Sequence, residues 1–320
     1  MSKIRSLMKV LRHPKKLILL AGSKGCFKWI PDEPYLRLLF RAEVGQKLNL
    51  NNPKSYNEKL QWIKLYDHNP VYTVMADKYL VRDFVRRRID EDILIPFCGV
   101  WDKPEDIDFD SLPEQFVLKC NHDSGSIIKC TDKASFDRQK AVKKLRKRLK
   151  RDYYKVTREW PYKNIRRRII AEVYLEDSKC RELPDYKFYT FNGEVKMIMV
   201  TTGRAAGDTR AEYYDENFNP LNIQWGYERP DNPLPKPALF EKMKQYARIL
   251  SEDTPELRVD FYICNGRIYF GELTFFDGGG LMPVDPVELD YKLGSWIDIP
   301  ALKEKIAQRK QLTEQSEFTE

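Results

Sequence analysis

Two Asn-Gly dipeptides, Asn192-Gly193 and Asn265-Gly266, commit the second half of this 320-residue chain to antiparallel hairpins. Both residue types tolerate the left-handed backbone of tight hairpin turns, and strand-forming runs flank each pair. The pattern predicts strands near 186–203 and 257–274, with a helix over about 237–250 between the hairpins. The second hairpin sets Arg258-Val-Asp260-Phe-Tyr262 against Phe270-Gly-Glu272-Leu-Thr274. Both carboxylates sit among apolar neighbours, where an unpartnered charge is costly. Side chains alternate along a strand, so a two-residue turn would send Asp260 and Glu272 to opposite faces. A three-residue loop, Cys264-Asn265-Gly266, is therefore expected, pairing Asp260 with Phe270. It leaves Leu257, Val259, Phe261, Ile263, Tyr269 and Leu273 as an apolar face.

The first half has a different texture. No acid precedes Asp32, and Ile4, Leu7, Met8 and Leu11 recur at helical spacing. A small amphipathic helix ending near Pro14 is expected, with residues 1–28 either touching an anionic membrane surface or packing on the body. Residues 34–67 read as helical. Gly45 ends one helix, and Ser55 with Glu58 forms a capping box for the next. A further helix begins near Asp77. Short strand-like runs follow at 93–95, 116–120, 127–130 and 168–175, with a basic helix at about 135–151 between the last two. The tail after Pro300 is polar and helical.

A net charge of +8 favours an anionic partner. Six scattered cysteines without a CxxC pair, and only three histidines, argue against a zinc site, a disulfide framework or multi-histidine chemistry. They fit a reducing compartment. No run approaches the roughly 20 apolar residues of a membrane span. A cytoplasmic protein is expected, peripheral at the inner face of the membrane if residues 1–28 bind there.

Four segments carry residues suited to chemistry. Lys119 ends an apolar strand and is followed by Ser124-Gly125-Ser126, a small-residue loop of the kind that folds N–H groups around phosphate. Glu172-Val173-Tyr174-Leu175 is a strand running into an acidic patch, an edge able to offer backbone groups to a base and a carboxylate to ribose hydroxyls. Asp185 and Lys187 alternate with aromatics and point to one face. Asp260 and Glu272 offer hard oxygen ligands to magnesium. Each segment alone is also compatible with an ordinary strand, loop or surface acid.

Their order resembles the ATP-grasp superfamily, and more narrowly its teichuronopeptide-biosynthesis (TupA-like) branch. The resemblance covers roughly residues 50–300. It rests on Ser55-Tyr-Asn-Glu-Lys-Leu-Gln-Trp62 with Lys64-Leu-Tyr-Asp67, on Asp77-Lys78-Tyr79 with Val81-Arg82, and on residues 116–126. It continues through Asp185-Tyr-Lys-Phe188, Arg258-Val-Asp-Phe-Tyr262 and Gly271-Glu-Leu-Thr-Phe275 before Gly278-Gly-Gly280. It implies an α+β fold in which two α+β lobes clamp ATP, here after a mostly helical N-terminal region. The expected division is a basic helical region 1–54, a lead-in 55–115, a small lobe with the phosphate loop 116–184, a large lobe with the metal site 185–300, and a polar tail 301–320.

Roles follow by position. Lys119 and Lys187 would hold ATP phosphates, with Ser124, Gly125 and Ser126 in a mobile phosphate loop. Glu172, Val173, Tyr174 and Leu175 would line the adenine, and Asp185 would join the nucleotide site. Lys187 and Arg258 would act in catalysis. Asp260, Glu272 and Thr274 would bind Mg2+, with Thr274 standing where many superfamily members have Asn. The implied activity is an ATP- and magnesium-dependent carboxylate–amine ligase acting through an acyl phosphate on an anionic glycan or amino acid, in cell-surface polysaccharide biosynthesis. A kinase or glycosyl-transfer protein of the same pathways is the alternative. A nucleic-acid binder using the basic stretch at 138–168 is the reading from another class, and no nucleic-acid motif accompanies that charge.

Overall fold

The computed structural model describes residues 14–178, 182–204 and 206–317. In chain order, the first helices are α1 (Pro14–Ser23), α2 (Asp32–Glu43), α3 (Tyr56–Tyr66), α4 (Pro70–Ala76) and α5 (Val81–Arg86). Then come β1 (Phe97–Trp101), β2 (Phe116–Cys120), β3 (Ile128–Cys130), α6 (Arg138–Leu149), α7 (Tyr154–Thr157) and β4 (Ile169–Val173). The second half holds β5 (Asp185–Phe191), β6 (Glu194–Thr202), β7 (Arg210–Asp215), α8 (Phe240–Leu250), β8 (Glu256–Cys264) and β9 (Arg267–Thr274). Helices α9 (Val287–Ser295) and α10 (Ile299–Glu317) close the chain. Among the described residues no helix is long and apolar enough to cross a membrane.

The described residues divide into two compact units, neither continuous in sequence: those within 14–69, 154–160 and 276–317 form one, and those within 70–153 and 161–275 the other. The first unit is built around α3. Its capping box is complete, with Ser55 accepting from the Glu58 N–H and Glu58 reaching back to the Ser55 N–H. The buried Gln61 amide and Lys64 ammonium donate to the Gly279 carbonyl at 3.2 and 2.6 Å, which holds the glycine run 278–280 against the helix. Gly45 has a left-handed φ of 82° just past α2, as expected. Residues 3–12 lie outside the described residues. The amphipathic helix expected to end near Pro14 therefore falls outside them too, and α1 is described from Pro14 to Ser23.

The second unit holds two antiparallel sheets, ordered β1-β4-β2-β3 and β7-β6-β5-β8-β9. In the four-stranded sheet, Phe116, Leu118 and Cys120 face a core that includes Leu145 of α6. The intervening Val117 and Lys119 face the other way. In the five-stranded sheet, α8 covers one face, with Phe240 5.7 Å from Phe188 and Tyr246 6.4 Å from Phe261. The opposite face carries Asp185, Lys187 and Asp260.

Residues 93–95 are not a strand. Pro96 follows them, and their carbonyls are spent singly: Ile93 accepts from the Phe270 N–H and Ile95 from Arg82. Ladder pairing begins only at β1. Strand β7 escaped the sequence reading because Glu212 and Arg210 interrupt its apolar pattern.

The hairpin β8–β9 also departs from expectation. Cys264 pairs with Arg267, so the connection is the two-residue turn Asn265-Gly266, with φ of 49° and 75°. Asn265 accepts the left-handed conformation, which gives the turn whose twist suits a hairpin. The register then shifts between Asp260 and Phe261, and Asp260 pairs with Glu272. Gly271 is the extra residue of a β-bulge. The carboxylates share a face after all, by a bulge rather than by a longer loop. Phe270 and Ile268 consequently join the buried face, and Tyr269 leaves it.

Candidate active site

A cavity of about 710 Å³ lies between the two sheets of the second unit. Its first wall comes from the four-stranded sheet. Lys119 Nζ lies 2.5 Å from Glu172 Oε2, and Arg82 Nη1 lies 2.9 Å from Glu172 Oε1. Glu172 is therefore a buried clamp that aims Lys119, both its oxygens held by cations, and it lines the cavity. Val173, Tyr174 and Leu175 do line the cavity, as do Glu176 and Asp177. Lys129, opposite Val117 on β3, reaches the same wall and lies 5.9 Å from the Tyr174 ring centroid.

Ser124, Gly125 and Ser126 do not line this cavity. Ser126 is buried, and its hydroxyl accepts the Cys120 N–H at 2.8 Å. Arg148 of α6 donates to the carbonyls of Ser124 and Gly125. Lys78 donates to the Asp123 carbonyl at 2.6 Å and also lines the cavity. The buried Asn121 side chain ties the loop's start to Asp77, Arg166 and Arg168. The loop is thus held by Arg148 of α6, by Asp77 and Lys78 from the turn between α4 and α5, and by the backbone leading into β4. Burial pushes the Cys120 thiol up to about 12, so it is no nucleophile.

The second wall is the polar face of the five-stranded sheet. Lys187 Nζ bridges Asp185 Oδ2 at 2.9 Å and Asp260 Oδ2 at 2.6 Å. Arg258 donates to Asp260 through Nε at 2.7 Å and Nη2 at 2.8 Å, and to Glu272 Oε1 at 2.9 Å. Burial raises the Asp260 pKa, but Arg258 and Lys187 outweigh it and hold the carboxyl below its usual range. Burial and Asp260 likewise push Glu272 up, and Arg258, Lys78 and Lys187 together bring it below the ordinary value. Thr274 Oγ1 donates to Glu272 Oε1 at 2.9 Å and accepts from Arg258 at 3.0 Å. It orients Glu272, and like Arg258 it stands just behind the cavity lining.

The donor set suits a hard divalent cation. Asp260 has both oxygens engaged by cations, whereas the Glu272 side chain is 41% exposed and lines the cavity. Magnesium takes one or two carboxylates and completes its shell with water and substrate phosphates. Among the described residues no cluster of three or more His, Cys, Asp or Glu stands ready for a metal. An all-protein cage is not what these residues make.

Sequence reasoning missed Lys78, Arg82, Thr201, Arg204 and Tyr262. Lys78 and Arg82 sat in quoted motifs without a role. Thr201 and Tyr262 follow from register alone, since both stand opposite Asp185 on the neighbouring strands.

On the Lys119 wall, Lys119→Ala is expected to leave a folded protein and to weaken ATP binding by about tenfold, the scale of one charge-assisted hydrogen bond. Titration calorimetry checks this; unchanged affinity would take Lys119 out of the site.

A family model described as TupA-like ATP-grasp matches residues 58–298. No curated protein sequence matches the chain. Among solved structures, D-alanine–D-alanine ligase from Bacillus anthracis is 18% identical with a TM-score of 0.37, the match covering 63% of this chain and 57% of that one. The chain thus spans a little over half of that enzyme. The same enzyme complexed with ATP is 16% identical over 74% of this chain and 67% of that one, TM-score 0.41. The ligase from Helicobacter pylori is 13% identical over 77% and 69%, TM-score 0.41.

Proposed function

Because the chain belongs to the TupA-like ATP-grasp family and has the ATP-grasp fold, we propose that its cavity binds ATP with magnesium and that the protein is a carboxylate–amine ligase of cell-surface polysaccharide assembly. The observation that carries this reading is the pairing of the two walls. Lys119, aimed by Glu172, faces a sheet on which Lys187, Arg258, Asp260 and Glu272 form one interlocked charge cluster.

In this reading Lys119 and Lys78 hold the phosphates, and Val173 to Leu175 line the base. A substrate carboxylate oxygen attacks the terminal phosphorus, the bond to the bridging oxygen breaks, and ADP leaves. Lys187 and Arg258 offset the charge that builds on the transferring group. An amine then attacks the acyl carbon of the resulting acyl phosphate, loses a proton and expels inorganic phosphate, leaving an amide. Magnesium bound at Glu272, with Asp260 beside it, would supply electrostatic neutralisation of the phosphates. Lys187, Arg258 and Asp260 are buried, and the lower effective dielectric there strengthens the interactions among them.

Incubation with ATP, magnesium and pools of uronic acids, amino acids and amines, followed by mass spectrometry, tests the proposal. ADP with an amide product is the expected result. ADP with a phosphorylated sugar would replace the ligase by a kinase, and no nucleotide turnover would remove the activity.

A further inference from the structure

Two buried polar atoms in the cavity wall have no hydrogen-bond partner: Asp185 Oδ1 and Thr201 Oγ1. Each residue is only 3% exposed. Asp185 on β5 and Thr201 on β6 stand directly opposite one another, so both side chains leave the sheet on one face, and both line the cavity. Buried polar atoms are normally satisfied, and two neighbouring exceptions in one wall point to a ligand that satisfies them.

The chemistry of that ligand follows from what is already bound. Asp185 Oδ2 is engaged by Lys187 Nζ at 2.9 Å and Arg204 Nη1 at 3.0 Å. An ammonium at Oδ1 would meet two cations around one carboxylate, whereas a neutral hydroxyl would not. A hydroxyl donating to Asp185 Oδ1, with a neighbouring hydroxyl exchanging hydrogen bonds with Thr201, fits the pair. Tyr262, opposite Asp185 on β8, extends this row with a phenol that burial keeps protonated. Arg204, from the connection after β6, lines the same cavity with its side chain 53% exposed. Its planar guanidinium carries five donors, and those not turned to Asp185 can take a carboxylate. Lys187 and Arg258, by contrast, bury their charges among the acids of the wall.

We propose that Asp185, Thr201 and Arg204 form a subsite for a sugar acid, with ring hydroxyls on Asp185 and Thr201 and the carboxylate on Arg204. The assignment rests on the ligase reading of the cavity and names the class of its carboxylate substrate. The other source of paired hydroxyls is the ribose of the nucleotide, and the test separates the two.

Full-length protein would be titrated calorimetrically with D-glucuronate, with cyclohexanecarboxylate, and with ATP and 3′-deoxy-ATP. Thr201→Val should weaken glucuronate binding by about tenfold, and Arg204→Ala by about tenfold or more, the scale of one hydrogen bond, neutral or charged. Thr201→Ser should restore the affinity, ATP affinity should not change in Thr201→Val, and cyclohexanecarboxylate should not sense Thr201. Thr201→Val that weakens ATP but not 3′-deoxy-ATP would give the hydroxyl subsite to the ribose and overturn the proposal. Glucuronate affinity unchanged in both folded variants would overturn it too. Thr201-dependent glucuronate binding without ADP formation from any amine would uphold the subsite while removing the ligase reading.

Discussion

Replacing Lys187 with methionine is expected to cost about 3–5 kcal/mol of folding stability, the scale for removing one partner of a buried charge cluster. Turnover should fall by at least about 100-fold, as when a charge-stabilising group is removed from an active site. The ammonium lies 2.9 Å from Asp185 and 2.6 Å from Asp260, and all three side chains are buried. Methionine keeps the volume and removes the charge, leaving Asp260 to Arg258 and Asp185 to Arg204. Urea unfolding gives the stability change. The double variant Lys187→Met with Asp185→Asn should recover part of the stability and none of the activity. That outcome separates charge balance in the wall from a direct role at the transferring phosphate.

The same cluster sets an acid limit. The folded-state pKa values of Asp260 and Glu272 are depressed. Their stabilising contribution is therefore present above the unfolded carboxylate values of about 4 and is lost as pH falls through the lower folded values. Lys187→Met removes one cation that holds Asp260 down, so acid unfolding should begin at a higher pH than in the parent. An acid transition that does not move would mean Lys187 contributes nothing to the ionisation of Asp260.

Gly271→Val is the second large expected effect. A Cβ at position 271 would stand 3.0 Å from the Asp260 carbonyl oxygen and 3.1 Å from Tyr262 Cε2, both tighter than ordinary contact. The carbonyl belongs to a central strand and has nowhere to go, so overpacking should cost about 1–3 kcal/mol. The functional cost should exceed the structural one. The bulge at Gly271 sets Glu272 opposite Asp260, and if the strand relieves the clash by closing the bulge, Glu272 turns to the apolar face. Magnesium-dependent ATP binding should then be lost in a variant that still unfolds cooperatively. A Gly271→Val protein that retains the magnesium dependence of its parent would show that Glu272 does not need the bulge.

Much of the organisation was legible because it depends on neighbours in sequence. The Ser55–Glu58 box, the left-handed Gly45, both Asn-Gly hairpins and the amphipathic α8 are local devices, and each stands where the residue pattern put it. The motif order identified the family, and strand alternation set Asp185 with Lys187 on one face. The misreadings arose where a residue's partner lies far along the chain. Glu172 lines the cavity as expected, but nothing local announced that Arg82 and Lys119, 90 and 53 positions away, would hold its carboxylate. The Ser124–Ser126 loop looked like an open phosphate cradle, yet Arg148 and Lys78 pin it outside the cavity lining. Alternation along β8 and β9 demanded a three-residue loop to bring the carboxylates together, whereas the fold used a two-residue turn and a bulge. Local sequence determined the caps and where the hairpins turn, because backbone preference acts within a few residues. Only the tertiary structure decided which charges neutralise one another and which stay open in the cavity, because that depends on which strands become neighbours and in what register.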